Sequence, residues 1–337
     1  MARISRRDFV TAIAGAGLLS PLIDRLAVPL GAAQAISRRP FGRTGVEVTI
    51  VGLGGGSRFY QPNTDDEVAA ELVRQAINGG IGLVETSANY GPNGESERRI
   101  GLAMKTHRSK VFLETKVDAR DYDGAMREME RSLQRMNTNH LDLVLHHALP
   151  SLEVLDQVLS EKGAERAIRR MVDQKVVRFH GFSCHSPAVT LEGIKRIEPH
   201  AIQLLLNATR VPDFEPDVLP LARERGIAVI AMKTCGHGYF LPTNATKPDR
   251  IDQFGPPPTA FERKNLPTPR EYLHYALSLP IATAVVGLDV LSTMKSVIQN
   301  AIEFRPLGAA ERQAITARAQ VFSTTGYWVP RERRTTS

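Results

Sequence analysis

Eight short apolar runs recur along this chain, and stretches with helical spacing separate them. The runs are Thr49–Gly54, Ile81–Val84, Val111–Thr115, Leu141–Leu145, Val176–Ser183, Ala201–Asn207, Ile227–Met232 and Ile281–Gly287. Near-continuous apolar strands, rather than alternating ones, fit a sheet covered on both faces. A helix between successive strands supplies the crossover that parallel pairing needs, and right-handed crossovers repeated eight times close a sheet on itself. The pattern predicts one closed (β/α)8 barrel.

That fold is the TIM barrel, expected over residues 36–337. A chain of 337 residues needs no second domain to account for it. The helices carry their own signals. Thr64-Asp65-Asp66-Glu67 reads as a capping box opening a helix with Val68, Leu72 and Ala76 on its core face, stopped by Gly79-Gly80. Further helices are expected over 95–107, 123–136 (core face Ala125, Met129, Leu133, Met136), 161–174 and 216–225. Ser186-Pro187, Thr268-Pro269-Arg270-Glu271 and Ser292 mark three more starts. Two additions frame the repeat. Arg39-Pro40-Phe41 and Val46-Glu47-Val48 flank Gly42-Arg43-Thr44-Gly45 as an N-terminal β-hairpin, and an extra C-terminal helix is expected over 309–322. A long Pro-rich stretch, 236–268, follows strand seven and so lies over the C-terminal face. Gly52-x-Gly54 is not read as a dinucleotide fingerprint, because Ser57 holds the third position and no helix opens there.

The first 35 residues read as a leader. Ser5-Arg6-Arg7-Asp8-Phe9-Val10 carries paired arginines, Ala12–Leu19 is a short apolar stretch, and Ala33-Gln34-Ala35 is a small-x-small cleavage site. The order of parts resembles a twin-arginine export signal, which implies the twin-arginine export machinery as a partner and a periplasmic or extracytoplasmic destination. No other stretch nears the roughly 20 apolar residues of a membrane span, so none is expected after signal removal. The net charge of +7 comes from scattered basic residues with few aromatics among them, which argues against nucleic-acid binding. Two cysteines, Cys184 and Cys235, are too few for a disulfide framework and read as free thiols. No metal site is read.

The chemistry collects at strand ends, where a parallel barrel places it. Strand two runs into Glu85 and, five residues on, Tyr90; strand three into Lys116; strand four into His146-His147. Tyrosine is a poor acid, with an unperturbed pKa of about 10. A neighbouring ammonium stabilises phenolate and is expected to lower it. Lys116 can supply that charge, Glu85 can hold Lys116 in place, and Tyr90 can then protonate a carbonyl oxygen. Neutral His147 is expected to donate a hydrogen bond to the same oxygen. Leu141, Leu143, Leu145 and His147 share a strand face, which points His146 outward instead.

These residues resemble the aldo-keto reductase family. The family pattern Asp-Thr-Ala-x-x-Tyr-Gly stands here as Glu85-Thr86-Ser87-Ala88-Asn89-Tyr90-Gly91, its lysine as Thr115-Lys116-Val117, and its histidine strand as Asp142-Leu143-Val144-Leu145-His146-His147. The resemblance covers essentially all of the chain after residue 38. It implies reduction of a small-molecule aldehyde or ketone by a nicotinamide cofactor, NADP with NAD as alternative. It implies cofactor contacts from Ser183, Gln203, Met232, Lys233, Gly287, Gln299 and Asn300, and catalytic roles for Tyr90, Lys116, His147 and Glu85.

The chain departs from the family in places. Glu85 replaces the family aspartate and reaches one methylene further. Cys184 stands where the family has asparagine. Asp289 stands where family members often offer a basic residue to a 2′-phosphate. Glu114, two residues before Lys116, is a candidate second carboxylate partner whose negative charge would raise the lysine pKa and weaken its pull on Tyr90. The competing reading is a nicotinamide-binding regulatory or accessory barrel with little turnover; a third is a non-redox lyase or isomerase using the same acid-base set. Specificity is expected from the loops after strands one, four and seven and from the tail with Tyr327 and Trp328.

Overall fold

Arg38–Pro40 (β1) pairs antiparallel with Glu47–Thr49 (β2) and makes the expected hairpin. Eight strands then close a parallel barrel: Val51–Gly54 (β3), Leu83–Glu85 (β4), Phe112–Val117 (β5), Leu141–Leu149 (β6), Val177–Cys184 (β7), Ala201–Leu205 (β8), Ala228–Met232 (β9) and Thr283–Gly287 (β10). The ring shuts where β10 pairs β3, with Ala284 opposite Val51 and Gly287 opposite Gly54. The computed structural model describes residues 35–56, 59–60, 65–235 and 265–325. The leader up to residue 34, Ser57, Thr64, residues 236–264 of the long loop, and Tyr327 and Trp328 lie outside the described residues.

Helices cover the outside of the ring: Asp66–Asn78 (α1), Glu95–His107 (α2), Tyr122–Arg135 (α3), Leu152–Leu159 (α4), Ala164–Asp173 (α5), Pro187–Ile197 (α6), Val218–Glu224 (α7), Pro269–Leu277 (α8) and Leu291–Ile302 (α9). Ala309–Thr325 (α10) is the extra C-terminal helix. Among the described residues no helix is long and apolar enough to cross a membrane.

Several boundaries differ from the sequence reading. The cap of α1 is Asp65, whose side chain accepts from the backbone N–H of Glu67 and Val68. Val68 is 64% exposed rather than in the core. A row of residues spaced by four drifts about 40° per step around a 3.6-residue turn, so its first member leaves a face centred on Ala69, Val73 and Ala76. The stretch expected as one helix over 161–174 starts only at Ala164, after Gly163, and a separate short helix, α4, precedes it. A Cβ at Gly163 would lie 2.1 Å from the Val158 carbonyl oxygen, so only glycine lets the two helices turn this tightly. Helix α9 starts at Leu291 behind Val290, whose side chain offers no cap, rather than at Ser292.

The hairpin matters because of the end it covers. Phe41, fully buried, lies with its ring 4.7 Å from that of Phe112, the first residue of β5, and Phe112 stacks at 6.2 Å on Phe179 near the start of β7. Arg39 reaches across to the carbonyl oxygens of Leu277 (2.7 Å) and Ile281 (2.9 Å). The N-terminal mouth is thus packed with aromatics, and the C-terminal strand ends are left for ligands. Gly52 belongs to this packing too: a Cβ there would lie 2.7 Å from Leu83 Cδ2, so its missing side chain serves strand contact and not a phosphate cradle.

Candidate active site

Strand register places the charged groups side by side. β4 and β5 pair with Glu85 opposite Glu114, and Lys116 follows two residues on, on the same face. The chain beyond β4 keeps bonding to β5, through Thr86 N–H to the Glu114 carbonyl (2.9 Å) and Ala88 N–H to the Lys116 carbonyl (3.2 Å). That run carries Tyr90 back over the strand ends before Gly91, at φ 79°, turns it toward α2. Three donors converge on one oxygen. Glu85 Oε1 accepts from Lys116 Nζ, from Tyr90 Oη (3.2 Å) and from Gln203 Nε2 (3.2 Å). The other oxygen, Oε2, accepts the Gly55 N–H at 3.1 Å. A Cβ on Gly55 would sit 2.7 Å from the Glu85 carbonyl oxygen, so glycine is what permits that approach. Lys116 also donates to the Thr86 carbonyl (2.8 Å).

One ammonium serves two buried carboxylates. Lys116 Nζ lies 3.6 Å from Glu114 Oε1, and Glu114 is fully buried with neither carboxyl oxygen hydrogen-bonded. Burial acts to lower the Lys116 pKa, but Glu85, Tyr90 and Glu114 outweigh it and raise it, so the ammonium stays charged. The Glu114 carboxyl is pushed up to about 8, by burial first, against the pull of Lys116 and with the push of Glu85. Tyr90 departs from the sequence reading. Its pKa is raised rather than lowered, by burial and then by Glu85, and Lys116 offsets only part of this. Lys116 stands 5.0 Å from the centre of the Tyr90 ring, while the phenol proton points at Glu85. The phenol therefore holds its proton firmly in the resting site.

His147 forms the opposite wall, its ring edge-on to Tyr90 with centroids 5.5 Å apart. Its Nδ1 faces Asp118, at 3.0 Å from Oδ1 and 3.2 Å from Oδ2, and the Ser87 hydroxyl at 3.2 Å. Arg120 donates to the His147 carbonyl oxygen (2.6 Å). Burial lowers the His147 pKa, opposed by Asp118 and assisted by Lys116, which favours the neutral ring. His146 points the other way, between barrel and helices, where its Nε2 pairs with Glu165 of α5 at 2.8 Å. Asp118 and Ser87 were missed in the sequence. Glu114 and Lys116 share a strand face and Asp118 continues their spacing, but it falls one residue past the end of β5 at Val117, so alternation gave only a weak signal for it.

The sequence profile of the Aldo/keto reductase family matches residues 51–286, which contain all of these groups. The chain belongs to the aldo/keto reductase family. Membership places it among carbonyl-reducing oxidoreductases. Solved relatives share the fold. Aldo-keto reductase AKR11C1 from Bacillus halodurans, in its holo form, superposes with a TM-score of 0.69 at 24% identity over 84% of this chain and 96% of its own. An aldo/keto reductase from Klebsiella pneumoniae, solved with NADP and acetate, gives 0.61 at 19% identity over 85% and 94%.

The other residues singled out in the sequence fall into separate places in this aldo/keto reductase. Gln203 belongs to the Glu85 cluster; it is fully buried and its Oε1 has no partner, an acceptor open to a carboxamide N–H. Ser183 accepts the Ala148 N–H (2.8 Å) beside His147. Met232 ends β9, and Lys233 follows at φ 60° with its Nζ 2.5 Å from His185 Nε2. Asn207 holds the Lys233 carbonyl (3.1 Å). Gly287 ends β10. On α9, Gln299 is exposed and donates to Glu303, while the Asn300 carbonyl accepts from His274 (2.8 Å). Buried Ser183 and Gln203, at the β7 and β8 ends, thus present polar atoms that a nicotinamide carboxamide would need. Both cysteines are free.

Proposed function

We propose that this chain reduces aldehyde or ketone carbonyls with a nicotinamide cofactor, NADP with NAD as the alternative, and that Tyr90 is the general acid. The observation that carries this is the convergence of Tyr90, Lys116 and Gln203 on Glu85 at the open end of the barrel, beside His147. A bound nicotinamide supplies the hydride. Gln203, Ser183, Met232 and Lys233 would hold its ring and amide, and Gly287, Gln299 and Asn300 its phosphates and adenosine. Tyr90 has a raised pKa, yet an alkoxide is a far stronger base than a phenolate, so proton transfer to the developing oxyanion stays favourable. Lys116 and Glu85 keep the phenol placed, and His147 lines the same pocket. Titrating the purified protein with NADPH and NADH and following their oxidation across a panel of aldehydes and ketones tests this reading. Turnover of at least one carbonyl is expected. Tight cofactor binding with no turnover would favour an accessory barrel instead, and no binding would sink both.

Glu114 gives the fold a pH dependence of its own. A carboxyl whose folded pKa lies near 8, against an ordinary value of 4.5, binds its proton more tightly in the folded state. Its contribution is complete below 4.5 and is lost as pH rises through about 8. Urea midpoints of the wild type are therefore expected to fall relative to Glu114→Gln across that window. Parallel profiles for the two proteins would refute the assignment.

The leader is proposed to direct twin-arginine export and periplasmic residence. Replacing Arg6 and Arg7 together with lysine is expected to leave the full-length chain in the cytoplasm on cell fractionation. Unchanged export of that variant would remove the proposal.

A further inference from the structure

The wall opposite Tyr90 has a hydrogen-bond polarity that the general scheme does not anticipate. Everything facing His147 Nδ1 accepts. The Asp118 carboxylate lies within hydrogen-bond distance through both oxygens, and an ionised carboxylate has no proton to give. The Ser87 hydroxyl lies 3.2 Å away, and its own proton is directed to Asn89 Oδ1 at 3.1 Å. The Asp118 carboxylate therefore requires the ring proton on Nδ1, and Ser87, with its own proton on Asn89, is able to accept from it as well. In a neutral imidazole the other nitrogen then carries a bare lone pair. The remaining groups around the ring are the Tyr90 edge and the more distant charges of Lys116 and Glu85. None of the described residues hydrogen-bonds to Nε2.

We infer that Asp118 is a positioning residue that fixes His147 in its Nδ1–H form, so that Nε2 accepts a hydrogen bond from the ligand instead of donating one to the carbonyl oxygen. Resting on the carbonyl-reducing reading above, the site then divides into two halves. Tyr90 is the donor half and meets the carbonyl oxygen. His147 is the acceptor half and meets a hydroxyl on the same ligand, such as the one beside the carbonyl of a hydroxyaldehyde. A ligand with a methyl in that place leaves Nε2 desolvated and unpaired.

The direct test is the ring itself. In full-length protein labelled with 15N-histidine, with His147 assigned from the resonances lost in His147→Gln, Nδ1 is expected to be pyrrole-like and Nε2 pyridine-like at neutral pH. In Asp118→Leu both resonances are expected to move toward the averaged positions of an unconstrained imidazole, with the fold checked by circular dichroism. A pyrrole-like Nε2 in the wild type, or no change in Asp118→Leu, overturns the inference. The second readout compares two aldehydes of equal heavy-atom count, glycolaldehyde and propionaldehyde. The wild type is expected to favour glycolaldehyde in kcat/KM by about tenfold, the worth of one hydrogen bond, and Asp118→Leu to lose that preference. Equal use of both by the wild type, or an unchanged preference in the variant, also overturns it. Turnover of neither aldehyde would overturn the hydroxyaldehyde preference, while the carbonyl-reducing reading is decided by the wider panel and the role of Asp118 by the 15N result.

Discussion

Tyr90→Phe is expected to lower kcat for carbonyl reduction by about 10²–10⁴-fold, the usual worth of a placed general acid, while cofactor affinity stays close to that of the wild type. The variant removes one oxygen from a half-buried ring and leaves the ring contacts with Tyr60 and His147 in place. Glu85 Oε1 loses one of three donors and keeps the other two. Folding should therefore be little changed, and the loss should fall on the chemical step. Steady-state kinetics with the best carbonyl substrate, alongside a fluorescence titration of cofactor, separate the two effects. An undiminished kcat would remove Tyr90 from its assigned role.

Lys116→Met is expected to destabilise the fold by about 3–5 kcal/mol, the cost of leaving buried charge without its partner. The ammonium is almost fully buried, and methionine fills its volume well, so little of the effect is a cavity. What remains is Glu85 and Glu114 facing one another across paired strands with no cation between them. The penalty should grow with pH as Glu114 ionises. Above about pH 8, adding Glu114→Gln to Lys116→Met should recover part of the stability, because it removes the carboxyl that would otherwise ionise there. Urea unfolding of the single and double variants measures this. A Lys116→Met protein as stable as the wild type would mean that the two carboxylates share a proton without help from the lysine.

The barrel was readable because its signals are local and repeated. Each strand is a covered apolar run, and most helices open on a cap that the sequence spells out, such as Ser186-Pro187 or Thr268 with Glu271. Tyr90, Lys116 and His147 were readable for a related reason: strand ends and side-chain alternation fix where they point. What stayed hidden depends on contacts between distant segments. Gln203 reaches Glu85 across 118 residues of chain, and nothing near either residue announces the other. Asp118 lies one residue past the end of β5, where alternation stops being reliable. The direction of the Tyr90 pKa shift is set first by burial and then by the Glu85 charge, and sequence spacing reports neither. Sequence spacing placed Lys116 nearby; it did not tell that the hydroxyl would rest on Glu85. Val68 was misplaced because its row of four-residue spacings drifts off the buried face.

The single oxygen that takes three hydrogen bonds also sets how long the acid at position 85 must be. Exchanging Glu85 for the family's aspartate draws the carboxylate back by about 1.5 Å, one carbon–carbon bond. It cannot then meet Lys116, Tyr90 and Gln203 in their present places, and the Gln203 amide, fully buried, would be left without an acceptor. The length of the acid at position 85 and the placement of the Gln203 amide are therefore a single geometric requirement in this chain.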